Sequence, residues 1–482
     1  MSLAQRTISS LSWKGGTSFF RVAILLGRSI ALARLLPVDV FGIYAGAIAI
    51  ATITGILFNF GLGGAFIFIS NQGVGESRAA TAHFTLNILF KTVWALLLIT
   101  FAMLYLEGPA RLALIVVALA NGLTMLTSTP QLILSRRVVH RRLALLESAI
   151  DIGATIAALV LAFLGAGLWA LLATNVVAGV MSIFFLYLYR PVWIPRINFS
   201  SNLIRPFLRF GSRNVWVDFL QVALDRFDDL WTVIYLGTYQ MGLYSRAYTF
   251  AAYPRRILAK PANSIAMGVY AELSDERQKL SEAFFRINAL LVRAGFLIAG
   301  VLALIAPEFI HLILGDKWLP FLQAFRLMLV FTMLDPIKLT VSHLFVALGM
   351  PEKVVRVRLV QLALLGIGLF SLGTFWGISG VALAVDLMLV IGIFLLLWQA
   401  HEFVDFSTRK LFQAPTIALL ISGILTYFAL HLPHALDSDW HSALIKIAVF
   451  VPAYLGLWFL QERKDMQKFM GMVGDRKRKR DL

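Results

Sequence analysis

Residues 11–36 read LSWKGGTSFFRVAILLGRSIALARLL, apolar and long enough to cross a bilayer, yet they carry Lys14, Arg21, Arg28 and Arg34. Lys14, Arg21 and Arg28 are spaced by seven. At about 100° per residue each step falls about 20° short of two turns, so these three charges form one stripe on one helix face. Arg34 falls on the far side, where its stem can snorkel to the outer surface, and Lys14 is near enough to the cytoplasmic end to do the same. A charge at mid-membrane costs about 2.5–3.5 kcal/mol per residue on insertion scales, so the stripe must face protein, water or an anion. The stripe predicts a chain that handles something anionic inside the membrane.

Composition sets the class. Of 482 residues 59% are hydrophobic and 14% charged, with mean hydropathy +0.80, far more apolar than a soluble core of this length requires. The chain reads as an all-α integral membrane protein. Lys14 interrupts any candidate signal-peptide core and no small-residue cleavage site follows it, so the first helix is expected to stay. With no cysteine there is no disulfide and no thiolate metal site, and no histidines have metal-ligand spacing; no metal site and no cofactor is expected.

Windows of about 20 apolar residues give about fourteen spans: 11–36, 40–70, 80–105, 112–134, 144–164, 168–189, 210–236, 241–269, 287–312, 321–348, 357–376, 379–399, 412–432 and 441–460. Alternate connections are basic. They hold Arg136, Arg137, Arg141 and Arg142, then Arg190, Arg196, Arg205 and Arg209, then Arg277 and Lys279, then Lys353, Arg356 and Arg358, then Arg409 and Lys410. The intervening connections carry only Arg34, Arg111 and Lys317, so both termini are expected in the cytoplasm. The same asymmetry accounts for a net charge of +17, and the run Arg476 to Arg480 reads as an anchor to anionic lipid, with no nucleic acid as partner.

A repeat organises the spans. Leu36, Gly42, Tyr44 and Ala47 recur as Leu236, Gly242, Tyr244 and Ala247, a constant shift of 200 residues. Six spans separate the copies, an even number, so the halves would be related by an axis along the membrane normal. The expected organisation is an N-terminal six-helix lobe at 1–190, a cytoplasmic linker at 191–209, a second six-helix lobe at 210–400, helices 13 and 14 at 401–461 and a basic cytoplasmic tail at 462–482.

Shifting the basic stripe by 200 residues lands on Asn214, Gln221 and Asp228. On the seventh span Asn214, Asp218, Gln221, Asp225, Asp228 and Asp229 fall within about 100° of one face. Under a pseudo-two-fold axis a basic and an acidic stripe would face a shared central cavity. Two readings stand: static pairing between lobes, or an ion-coupling and gating set in Asp218, Asp225, Asp228 and Asp229, with Asn214 and Gln221 lining the cavity. Lys91, Lys338, Asp335 and Asp386 also fall inside spans and either line the cavity or pair with a neighbour. Glu147 and Asp151 are expected to neutralise the Arg136–Arg142 connection, and His83 and His140 to lie at the interface.

What the chain lacks narrows its function. It has no phosphate-binding Gly-rich Lys-Ser/Thr loop and no large soluble domain, so it is not expected to hydrolyse nucleotide or to be an enzyme. External connections such as Leu106–Arg111 and Gly165–Gly167 are too short to hold a sugar polymerase site.

The runs Ala33-Arg34-Leu35-Leu36-Pro37 through Phe41-Gly42-Ile43-Tyr44, Phe60-Gly61-Leu62-Gly63, Gly242-Leu243-Tyr244-Ser245 with Ala247, and Leu314-Gly315-Asp316-Lys317-Trp318 carry a family resemblance. In that order, over nearly the whole chain, they resemble the polysaccharide-transporter (Wzx-like) branch of the multidrug/oligosaccharidyl-lipid/polysaccharide (MATE/MOP-like) exporter superfamily. The resemblance implies two six-helix lobes in a V, a cationic cavity for an undecaprenyl-pyrophosphate-linked oligosaccharide, and alternating access without ATP in a bacterial inner membrane. Lys14, Arg21 and Arg28 would hold the pyrophosphate, Arg21 and Arg28 occupying the stretch comparable to the first-helix arginines of lipid II flippases. It also implies a lipid-tail groove at the last two helices, membrane lipid contacts and a polysaccharide polymerase as partner. Coupling to a proton or Na⁺ is expected through Asp225 or Asp228. An ion-coupled multidrug antiporter of the same superfamily is the alternative, and a cavity for cationic drugs should be acidic and aromatic in both lobes.

Overall fold

The computed structural model describes residues 20–71, 75–137, 139–430 and 438–478, with side chains throughout except at 140, 213–214, 256–265 and 463–478. Lys14 lies outside the described residues, and so does the side chain of Asn214. Helices account for nearly every described residue and no strand occurs among them. Among the described residues ten helical stretches are long and apolar enough to cross a membrane, and the longest, 351–400, is long enough to hold two spans. The architecture is all-α and membrane-embedded, and the expected fourteen spans are consistent with it.

The helices form two compact units. The first comprises residues 1–253 with 358–388, the second 254–357 with 389–482. In the first unit α1 (20–35) ends at Pro37, which has the extended backbone that precedes α2 (Val38–Asn59). Phe60 then adopts a left-handed conformation, φ 47°, before α3 (Leu62–Asn71). A side chain at Gly211 would fall 2.2 Å from the Phe60 carbonyl oxygen, so α9 (Ser201–Tyr235) presses its backbone against this break. Around α2 pack α4 (Glu76–Tyr105), α5 (Gly108–Leu126) and α8 (Leu168–Ile183). Trp94 is the centre of that core, among Ala47, Ala51, Leu114 and Val117, and its Nε1 donates to Thr54 Oγ1 at 3.0 Å.

A second cluster in this unit joins α3, α4, α6 (Ser128–Arg136) and the start of α9 through Phe66, Ala79, Ile133 and Phe207. Here α9 begins at Ser201, inside the segment read from its prolines as linker; its ladder opens with Ile204 N on the Ser200 carbonyl at 3.1 Å, and Pro206 lies within the helix at the loss of one backbone hydrogen bond. Only residues 190–200 are non-helical, and Asn198 N donates to Thr85 Oγ1 at 3.0 Å, tying them to α4. Helix α7 (His140–Phe163) packs on α8, and Gly237, at φ +85°, makes the turn between α9 and α10 (Gly237–Glu272). At 35 and 36 residues, α9 and α10 extend for about 53 Å each, well beyond about 30 Å of hydrocarbon. Both are too polar to count among the ten apolar stretches.

The second unit is built on α11 (Arg277–Glu308) and α12 (Leu322–Ala347), packed so closely that a side chain at Gly295 would meet the Met333 carbonyl oxygen at 2.9 Å. Helices α15 (Thr408–Leu430) and α16 (Asp439–Arg478) lie on α11, where Phe450 and Leu419 fill the space left by Gly300. Two polar clips hold α16 there. Arg293 pairs with Glu462, which also accepts from Trp458 Nε1 at 2.7 Å; Glu308 pairs with Lys446 and accepts from Ser442 Oγ at 2.9 Å. On the connection before α15, Arg277 donates twice to Asp405 and holds that carboxyl below its usual range. Helices α13 (Pro351–Gly368) and α14 (Thr374–Ala400) each run through the boundary residues of both units.

Candidate functional site

The basic face of α1 is not uniform. Arg21 Nε donates to Asp151 Oδ2 at 2.5 Å, and the same guanidinium pairs with Glu147 one turn earlier on α7. Arg28, about 10.5 Å farther along α1, is half-buried and has no hydrogen bond or ion pair among the described residues. The expectation that Glu147 and Asp151 neutralise the adjacent basic connection is therefore corrected. Their i, i+4 face on α7 meets α1, while Arg136 and Arg137 both pair with Glu76 at the start of α4.

The acidic face of α9 divides in two. At its half-exposed part Gln221 Nε2 donates to Asp225 Oδ2 at 2.8 Å, and Arg358 of α13 is the electrostatic neighbour of Asp218 and Asp225. At its buried part Asp228 and Asp229 are each 5% exposed. Asp229 pairs with Arg226 at 2.8 Å and has Arg246 of α10 as a further cationic neighbour; Tyr244 donates its hydroxyl to Asp228 Oδ2. Asp228 Oδ1 and Thr232 Oγ1, one turn apart, have no hydrogen-bond partner among the described residues. Arg246 also reaches the first helices: its guanidinium lies 4.6 Å from the Phe41 ring centre and donates to Ser29 Oγ at 3.3 Å.

The remaining intramembrane charges separate by environment. Lys91 donates to the Gly55 carbonyl at 2.9 Å and lies 5.6 Å from the Trp94 ring, which makes it a clip between α4 and α2. Lys338 lies 3.3 Å from Asp335, a fully buried carboxylate that also meets Arg255 Nε at 2.7 Å in the second unit. Asp386 of α14 is 4% exposed, and neither of its oxygens has a hydrogen-bond partner among the described residues. His83 departs from the expected interfacial position: it is buried, its ring bonded to Thr129 at 2.9 Å where α4 meets α6.

Sequence reasoning missed Arg226, Tyr244, Arg246, Arg255 and Arg358 as members of these clusters. Arg246 carried a readable signal, a lone charge one turn after Gly242 in an apolar repeat. Arg358 was concealed by its neighbours Lys353 and Arg356 and read as a loop charge, although it sits two turns inside α13.

Residues 31–323 match the family described as "Polysaccharide biosynthesis protein". The lipopolysaccharide biosynthesis protein WzxC of Escherichia coli (strain K12) is 22% identical over 353 residues, 72% of this chain and 71% of that protein. A lipid II flippase, MurJ, in an inward closed conformation superposes with a TM-score of 0.77 at 14% identity, over 93% of this chain and 98% of that one. An inward-facing multidrug resistance MATE transporter of the MOP superfamily does so with a TM-score of 0.60 at 16% identity, over 80% and 94%. At these identities the two structures establish the fold, and that fold serves both expected functions.

Proposed function

The chain belongs to the polysaccharide biosynthesis protein family, and on that premise we propose that it flips a polyprenyl-pyrophosphate-linked oligosaccharide across a bacterial inner membrane by alternating access. The observation that carries this reading is Arg28, a half-buried guanidinium on an intramembrane helix whose neighbour Arg21 is neutralised while it is not. A buried cation without a counter-charge costs free energy unless an anion completes it, and a guanidinium fork grips phosphate oxygens bidentately without becoming neutral. Lys14 and Arg21 would meet the pyrophosphate at the cytoplasmic end of the stripe, and Arg28, farther along α1, would take it over as the head group moves outward. The sugar would travel in water between two six-helix lobes while the polyprenyl tail stays in lipid.

Both termini would face the cytoplasm, and a polysaccharide polymerase would take the product on the outer side. Coupling would run through the α9 carboxylates, with Asp225 or Asp228 taking a proton or Na⁺ as their arginine contacts change, and Asp218, Asp229, Gln221 and Asn214 shaping the acidic wall. A drug antiporter shares the fold, but an arginine with no counter-charge among the described residues would repel a cationic drug.

Deleting the gene tests the proposal. Polymer should disappear from the cell surface while lipid-linked repeat units accumulate in the cytoplasmic leaflet. Unchanged surface polymer in the deletion strain would refute it.

A further inference from the structure

Gly42 and Gly242, equivalent under the 200-residue shift, press their helices against each other reciprocally. A side chain at Gly42 would fall 1.7 Å from the Thr238 carbonyl oxygen and 2.9 Å from Gly242 N; one at Gly242 would fall 2.2 Å from the Val38 carbonyl oxygen. Position 42 meets 238 and position 242 meets 38, the exchange a two-fold axis imposes on an isologous contact. The first turns of α2 and α10 therefore touch backbone to backbone. Beside and below this contact α10 is held by lighter ties, Arg246 to Phe41 of α2 and to Ser29 of α1, then Tyr253 OH to the Leu25 carbonyl of α1 at 2.8 Å.

Both contacting turns follow connections that alternate with the arginine-rich ones, at residues 36–37 and 236, and so lie at the outer end of the membrane in the topology proposed above. We propose that the Gly42–Gly242 seam is the outer seal of the transport path, closed in this structure and parted when the head group leaves. The inference rests on the flippase reading and its orientation. Close backbone contact suits a seal: it leaves little room for water, and it parts and re-forms without breaking an ion pair. Glycine is required on both sides because a methyl group has nowhere to go at either position. The charged link beneath, Arg246 to Phe41 and Ser29, is exposed only after the seam opens.

A chain without cysteine allows a direct test. Ser29 is buried beneath the seam, so Ser29→Cys reports its opening to a membrane-impermeant maleimide applied outside. Gly42→Ala and Gly242→Ala should each raise labelling of that cysteine about tenfold. Gly122→Ala, which points into open space, should leave labelling unchanged. Separately, a short bis-maleimide joining Asp39→Cys to Tyr239→Cys, exposed residues beside the contact, should stop export. Normal membrane abundance with unchanged labelling in the alanine variants, or export persisting through the cross-link, would overturn the seal. If the alanine variants do not accumulate, the cross-linked pair decides alone. Labelling needs no substrate, so failure of the flippase reading would appear separately, as an uncross-linked protein that moves no lipid-linked sugar.

Discussion

Arg21 and Asp151 are joined at 2.5 Å across 130 residues of sequence, and this ion pair sets Arg21 apart from Arg28, which has no counter-charge among the described residues. Removing the Arg21 side chain should leave two carboxylates on α7 without their partner.

Arg21→Ala is therefore expected to lower stability by about 1–3 kcal/mol and to reduce membrane abundance as well as export. Adding Glu147→Gln and Asp151→Asn should restore abundance without restoring export. Measured by thermal aggregation in detergent beside polymer yield, full export in that triple variant would remove Arg21 from the transport path.

The α16 clips make a separate expectation. Arg293 and Glu462 are both shielded from solvent in the second unit, so Arg293→Met should cost about 3–5 kcal/mol by stranding the carboxylate. Combining it with Glu462→Leu should recover most of that loss, since an apolar pair needs no counter-charge. Equal melting temperatures for the single and double variants would show that the ion pair is not what holds α16 to α11.

Orientation can be read with single cysteines. Ser200→Cys and Ser407→Cys should react with an impermeant maleimide only from the cytoplasmic side, and Ser438→Cys only from outside. Labelling of position 200 from outside would invert the proposed topology.

Coupling is testable in the α9 carboxylates. Asp225→Asn with Asp228→Asn keeps shape and hydrogen-bonding capacity while removing the titrating groups. An imposed pH or Na⁺ gradient should accelerate transport by the unaltered protein and leave the double variant unchanged. Identical responses would assign these residues to structure.

Much of the fold was legible because it follows from periodicity and transfer energy. Apolar windows, alternating arginine-rich connections and the stripe on α9 are all local properties, and the Gly42 and Gly242 motifs proved to be partners as well as copies. The ion pairs were less legible. Arg21 finds its partners on α7, Arg137 finds Glu76, and Asp229 is met by Arg226 on its own helix and by Arg246 on the next. Sequence proximity favoured Arg136–Arg142 as partners of Glu147 and Asp151. The helix face decided otherwise, because residues a turn apart point together toward whichever helix packs there, not toward the loop beside them. Arg358 shows the same limit, since a charge near a helix end can snorkel outward or turn inward and only its tertiary neighbours distinguish the two.

The central claim is that Arg28 is the cation left open for a phosphate. Purified protein in lipid vesicles, supplied with a fluorescent polyprenyl-pyrophosphate-linked sugar, reports the transfer between leaflets directly. Arg28→Ala should abolish transfer at unchanged protein content, and Arg28→Lys should restore only part of it, because an ammonium keeps the charge but loses the bidentate fork. Transfer by Arg28→Ala at the unaltered rate would contradict the claim.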